Sequence, residues 1–308
     1  MRAMQVVEES GKLVLKAAEM PVPKPGNGEV LLRIHAAGVT PTELVWSPTT
    51  HTKVGGARTQ AVPGHEFSGV VEEVGEGVSQ FAAGDAVYGM SDWFADGATA
   101  EFCIANASSI AAKPARLTHE EAATVPIGAL TAWQGLFTRA KVQPGERVLV
   151  QGGSGSVGLF VVQLAQLHGA KVIATASTEN TSLVKQLGAE TVIDYKTERF
   201  EDQARDVDVV FDTVGGETLE RSWGVLRPGG RMVTIAADAE GQQEQRVQDA
   251  FFIVEPHQEQ LIEVAKLLDA GILKTFVKAA VPLDEAPAAY AGQLRPPRAI
   301  GKVVVSIL

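Results

Sequence analysis

Arg147-Val148-Leu149-Val150-Gln151-Gly152-Gly153-Ser154-Gly155-Ser156-Val157-Gly158-Leu159, continued to His168 and stopped at Gly169, decides how the second half of this chain folds. Arg147–Gln151 is an apolar strand, and Leu159–His168 is an amphipathic helix closed by a glycine. Between them, Gly153, Gly155 and Gly158 match G-x-G-x-x-G. That spacing is a weak signal alone, but directly after a strand and at a helix opening it has a mechanism. The first glycine permits the tight turn, the second lets the backbone approach a pyrophosphate, and the third lets helix and strand pack closely. The helix start offers free N–H groups and partial positive charge to phosphates. The plain alternative is a glycine turn without a ligand.

Outward from this stretch the rhythm repeats. Lys171–Thr175, Thr191–Ile193, Asp208–Phe211 and Arg231–Ile235 read as short strands, and Ser182–Leu187 as a helix ending at Gly188. Strands alternating with helices imply βαβ units, hence a doubly wound parallel sheet of the Rossmann type. Upstream, Glu121–Thr138 is helical by pattern. The first 120 residues are β-rich: a strand and hairpin over Met1–Leu15, then Val30–Ala37 and Phe67–Val74, with Gly84-Asp85 as a hairpin turn before Ala86. Pro21, Pro23 and Pro25 exclude a central strand there. His257–Ala270 reads as a helix and Gly301–Leu308 as a strand. This order predicts a β-rich domain over residues 1–122, completed by 260–308, with a nucleotide domain inserted at 123–259.

The 308 residues suffice for two ordinary cores. A net charge of −10 argues against binding nucleic acid. No run of eighteen apolar residues is present, so no membrane span is expected. Met1–Leu15 does not read as a signal peptide. One cysteine, Cys103, excludes an internal disulfide and a thiolate cluster, so the expected location is cytoplasmic.

An NAD site usually places Asp or Glu about 20 residues beyond the glycines. Here the second strand ends in Ala174-Thr175-Ala176-Ser177, which is small and neutral and leaves room for a 2′-phosphate. Glu179 lies just beyond and can still hold a hydroxyl. The reading leans to NADPH, with a helix N-cap as the alternative role for Ser177.

Several further stretches resemble the medium-chain dehydrogenase/reductase family in its zinc-independent, quinone oxidoreductase-like form. They are Ala36–Thr42, Gly64-His65-Glu66-Phe67-Ser68-Gly69, Leu130–Trp133, Pro144–Val150, Leu187–Ala189, Ile193–Tyr195, Asp212–Gly216 and Gly301–Val304. The resemblance implies a split GroES-like catalytic domain around the Rossmann domain, with the cofactor in the interdomain cleft. It implies that Thr131 lies beside the nicotinamide ribose. Gly153, Ser154, Gly155, Ser156, Val157 and Gly158 would hold the pyrophosphate, with Ala176, Ser177 and Tyr195 on the adenosine side near the 2′-phosphate. Val214, Ile235, Phe252 and Val254 would approach the cofactor from later strands, and Lys302 the nicotinamide end or the domain junction. For Phe252 the alternative is plain core, and for Tyr195 a surface ring.

Zinc-using relatives bind catalytic zinc with Cys, His and Cys or an acid. The matching positions here are Thr40, His65 and Ile127, short of the three ligands a catalytic zinc needs, so no metal is expected. His65 is then a cleft or core histidine, and Cys103 a buried small hydrophobe. Without a Lewis acid, the implied chemistry is hydride delivery to an already electron-poor acceptor, a quinone or conjugated enone. Thr40 is assigned a substrate-oxygen contact, with turn capping as the alternative. Trp46, His65, Trp93 and Phe94 are expected to line the substrate cleft, and the loop over 47–62 to shape substrate choice. Two other readings stand: an enoyl-thioester-type reductase, and a non-enzymatic cofactor-binding protein. By resemblance a homodimer is expected, paired through a last strand at Phe251–Val254.

Overall fold

The computed structural model describes residues 1–294 and 300–308. The chain divides into two compact units. One takes Met1–Ile127, a return segment from Pro256, and Lys302–Leu308; the other is built from Gly128–Glu255. The breaks fall after Ile127 and Glu255, against 122 and 259 from sequence. Part of the reason is that Glu121–Thr138 is not one helix. A short helix, His119–Ala122, is closed at its start by a capping box between Thr118 and Glu121. A second, Pro126–Trp133, starts afresh at a proline that cannot continue the preceding turn, and runs into a π-helical turn over Gln134–Arg139.

In the first unit, β1 (Arg2–Glu9) and β2 (Lys12–Glu19) form a hairpin. Its turn residues Ser10 and Gly11 both have positive φ, 50° and 76°, which matches the twist of paired strands. β3 (Glu29–Gly38), β4 (Glu66–Val74), β5 (Ala86–Met90), β6 (Phe102–Asn106) and β7 (Ile110–Ala112) follow. The second unit contributes β8 (Arg147–Gln151), β9 (Lys171–Ala176), β10 (Thr191–Asp194), β11 (Val207–Asp212) and β12 (Leu226–Thr234). The chain then returns with β13 (Val277–Pro282) and β14 (Lys302–Ser306), which complete the first unit's sheet in the order β13-β14-β3-β4-β5-β7, with β6 also on β3. Val30, Leu32, Ile34, Phe67, Val71, Ile110 and Val305 form its core. Full burial of each such side chain is worth about 1.5–3 kcal/mol. Cys103 is buried in β6, as expected, and burial pushes its thiol up to about 12.

A pair of stacked imidazoles lies beside this core. The rings of His35 and His119 are 4.2 Å apart at 20°. The Ser68 hydroxyl donates to the Val87 carbonyl and lies 2.8 Å from His119 Nδ1, so Nδ1 carries the proton and donates to Ser68. Burial, then the neighbouring charges of His35 and Lys113, lower His119 from 6.5 to about 4. The native state therefore holds it neutral while the unfolded chain binds a proton. Its contribution is intact above about pH 6.5 and is lost as pH falls towards 4. The unfolding midpoint should drop over that window, and His119→Gln should flatten the drop in thermal melts. An unchanged slope in the variant would remove His119 from the explanation.

The second unit's sheet is all parallel in the order β10-β9-β8-β11-β12. Order runs outward in both directions from β8, so the switch point lies between β8 and β11, where doubly wound sheets bind ligands at the strands' carboxyl ends. The strand expected at Phe251–Val254 is absent. Only a bridge from Phe251 to Thr234 forms. Beyond it the Gln134 side chain grips Glu255, donating to its carbonyl at 2.8 Å and accepting from its N–H at 3.1 Å, where a strand neighbour would otherwise pair.

Candidate active site

The glycine loop is pegged at its base. Thr175 Oγ1 accepts from Gly152 N at 3.0 Å and donates to the Gln151 side chain at 2.9 Å, while Gly153 N donates to the Thr175 carbonyl at 2.8 Å. Thr213 Oγ1 donates to the Gln151 carbonyl at 2.8 Å. The residue that makes the tight turn is Gly152, with φ of 79°, rather than Gly153 as the motif suggested. Gly153 instead sits where a Cβ would lie 2.9 Å from that of Ala174. A Cβ on Gly158 would lie 2.1 Å from the Gly152 carbonyl oxygen, so only glycine lets the helix Gly158–Leu167 start this close. Among the described residues, the N–H groups of Ser154, Ser156, Val157 and Gly158 have no protein acceptor, and Val157 receives no side-chain cap. Four open donors at a helix start fit a pyrophosphate.

Asp212 ends β11 and staples the opposite lip. Its fully buried carboxylate accepts from Gly215 N at 3.1 Å, Val214 N at 3.2 Å and Thr234 Oγ1 at 2.8 Å. Burial raises its pKa against these donors. Val214 is left half-exposed on the lip, and Ile235 follows β12, its N–H on the Asp212 carbonyl at 3.2 Å. On the ribose side, Ala176 and Ser177 are buried. Ser177 stands at the N-cap of the turn Thr178–Asn180, yet its hydroxyl makes no capping bond. Tyr195 is 59% exposed. Thr131 is buried in its helix and Val254 is buried; Phe252 lies under the Arg139 guanidinium, 5.8 Å from the ring.

In the first unit, Thr40 precedes the 3₁₀ turn Pro41–Val45, where it makes no side-chain capping bond. That turn buries Glu43, whose carboxylate lies 3.2 Å from His65 Nδ1 and accepts from Gly64 N at 2.8 Å. His65 Nε2 faces the Ala95 carbonyl at 3.3 Å, so both ring nitrogens are held. The ring lies 5.1 Å from Trp93, and Trp93 lies 5.0 Å from Trp46 in an edge-on pair. Trp46, His65 and Trp93 thus meet in one aromatic cluster. Phe94 lines a cavity of about 400 Å³ with Thr52, Lys53, Arg58, Asp92 and Ile104. The 47–62 segment is not bare loop; it contains the short helix Ser47–Thr50 and a bridge from His51 to Ala57. Among the described residues, the buried atoms Thr40 Oγ1, Trp46 Nε1 and Ser91 Oγ have no hydrogen-bond partner; Trp46 belongs to the aromatic cluster, and Ser91 N donates to the His65 carbonyl at 3.0 Å. Buried polar groups are paired in the great majority of cases, so such a cluster calls for a ligand or water.

Glu66 begins β4. It accepts from Ile127 N at 3.0 Å and forms a buried ion pair with Lys302. Burial brings the Lys302 ammonium down to about 8, with the charge of Glu43 opposing the fall. Of the positions where zinc relatives place ligands, Thr40 and Ile127 offer none, and Glu66 is committed to Lys302. Among the described residues no three His, Cys, Asp or Glu side chains gather as a ligand set. The donor set does not fit a catalytic zinc. Sequence reasoning missed Glu43 and Ser91, and saw Asp212 only as part of a matched run. Only contacts reveal them, since an isolated Glu or Ser carries no local signal.

A parallel sheet with a glycine cradle at its switch point defines a dinucleotide-binding fold of the Rossmann type. Residues 26–128 match the alcohol dehydrogenase GroES-like domain and residues 187–305 match a family described as zinc-binding dehydrogenase. The chain is 34% identical to a protein of Arthroderma benhamiae named "Probable zinc-binding oxidoreductase, mitochondrial", over 96% of this chain and 93% of that one. It is 32% identical to the quinone oxidoreductase of Rattus norvegicus, over 99% and 97%. The solved quinone oxidoreductase of Coxiella burnetii superposes with a TM-score of 0.87 at 28% identity, over 100% of this chain and 99% of that one. The chain belongs to the medium-chain dehydrogenase/reductase family, in its quinone oxidoreductase-like branch, and is a nicotinamide-dependent oxidoreductase. No helix among the described residues is long and apolar enough to cross a membrane.

Proposed function

We propose that this protein delivers hydride from NADPH to a quinone or conjugated enone, with a proton from water completing the reduction, without a metal ion. The observation that carries the reading is the trio of orphaned buried groups, Thr40 Oγ1, Trp46 Nε1 and Ser91 Oγ, set about flat aromatic walls. Hydroxyl and indole donors beside apolar faces suit a planar molecule with a carbonyl oxygen. The bound cofactor supplies the hydride. The residues of this chain position the acceptor, exclude water and donate to the oxygen as negative charge develops. An acceptor that is already electron-poor needs no Lewis acid, in keeping with Thr40 and Ile127 at the former ligand positions. The neutral ends at Ala176 and Ser177 support NADPH.

Thr40→Val keeps the shape and removes the donor. It should lower kcat/KM for quinones and enones by about tenfold or more, with NADPH affinity unchanged, because such a bond is worth roughly 2.7–4 kcal/mol when preorganised. Equal kcat/KM across several acceptors would make Thr40 scaffold. We also propose a homodimer that pairs through the edge of β12 outside its bridge from Thr234 to Phe251, since the strand expected at Phe251–Val254 does not form. Light scattering should give a mass well above the 32.5 kDa of one chain. A mass of one chain at micromolar concentration would refute it.

A further inference from the structure

The cofactor-binding reading leads to a sharper assignment at the carboxyl ends of β9 and β10. These strands are parallel neighbours with Asp194 opposite Ala176. Just past them, Lys196 Nζ lies 3.1 Å from the Glu179 carboxylate, with the two side chains 48% and 52% exposed. The frame beneath is fixed. Thr178 Oγ1 donates to Asp194 at 2.6 Å, and Lys196 N donates to the same carboxylate at 3.0 Å. The charged heads reach beyond this frame and are half-exposed.

The pair also connects to the glycine loop. Asn180 Nδ2 donates to Ser177 Oγ at 3.1 Å and lies 3.4 Å from Ser154 Oγ. The Glu179 carboxyl is held below the usual range by its own backbone N–H first, then by Lys196 and the Ser177 hydroxyl. A carboxylate at this strand end accepts the ribose 2′-hydroxyl of NAD, and a cation nearby accommodates the 2′-phosphate of NADP. This chain has one of each, bonded to each other. An exposed ion pair is worth little, so a doubly charged phosphate can displace Glu179 from Lys196 at small cost.

We propose that Lys196 is the 2′-phosphate-binding residue and that Glu179, by competing for it, sets how strongly NADPH is preferred over NADH. With NADPH, Lys196 leaves Glu179 for the phosphate, and the Ser177 hydroxyl is released to the same anion. With NADH, Glu179 turns to the ribose hydroxyl.

The test is titration of the purified protein with NADPH and with NADH, followed by cofactor fluorescence. Lys196→Gln should weaken NADPH about tenfold or more and leave NADH within about twofold, as expected for loss of one charge-assisted bond. Lys196→Arg should keep the preference. Glu179→Gln should tighten NADPH and weaken NADH. Unchanged NADPH binding by Lys196→Gln, or equal loss of both cofactors, would overturn the proposal while leaving the oxidoreductase reading intact. Failure of the unaltered protein to bind either cofactor would overturn the reading beneath it.

Discussion

Lys302→Met is expected to destabilise the first unit by about 3–5 kcal/mol, the usual cost of leaving one member of a buried ion pair without its partner. Lys302 and Glu66 are both buried, and they close the sheet where β14 meets β3 and β3 meets β4. With methionine at 302, Glu66 keeps, among the described residues, only the Ile127 N–H. A buried carboxylate without its cation must then be protonated or draw in water. The added substitution Glu66→Gln should recover much of the loss, because the amide carries no charge to desolvate. Urea unfolding of the single and double variants measures this. A loss below about 1 kcal/mol for Lys302→Met would show the pair to be solvated in practice.

Gly158→Val should abolish cofactor binding or weaken it by about a hundredfold, the loss of two charge-assisted bonds from a displaced loop. Even a Cβ at 158 meets the Gly152 carbonyl at 2.1 Å, and that oxygen is backbone that cannot swing aside. The loop must move, and the N–H groups of Ser156, Val157 and Gly158 move with it. Gly155→Ala is the contrast, since its Cβ would stand 3.3 Å from the same oxygen. It should be milder at the loop itself. NADPH titration, with circular dichroism as the control for folding, measures both. Wild-type affinity in Gly158→Val would mean that the loop does not carry the pyrophosphate.

The parallel sheet was legible because local signals agreed: apolar strand, glycine turn and amphipathic helix fell in order around residues 147–169. What escaped depends on tertiary contact. Phe251–Val254 has strand composition, yet Gln134 competes for the backbone at Glu255, and nothing near 251 announces it. The helix over Glu121–Thr138 was overread because its apolar pattern runs across Pro126, where the backbone breaks. In the candidate site, Thr40, His65 and Trp46 were visible through a family pattern and their chemistry. Adjacency in sequence joins Phe94 to Trp93, and contacts add what adjacency does not show: Trp93 meets His65, and Phe94 lines a cavity with Lys53 and Arg58. Glu43 and Ser91 were invisible, since their significance is a hydrogen bond made in one case and missing in the other.

The measurement that bears most directly on the proposed activity is NADPH oxidation by the purified protein with a quinone, an enone and an enoyl thioester, after exhaustive dialysis against a chelator and with metal content determined on the same sample. Turnover with the quinone or enone at substoichiometric zinc is the predicted result. NADPH binding without oxidation by any of the three, or activity that returns only when zinc is added, would contradict it.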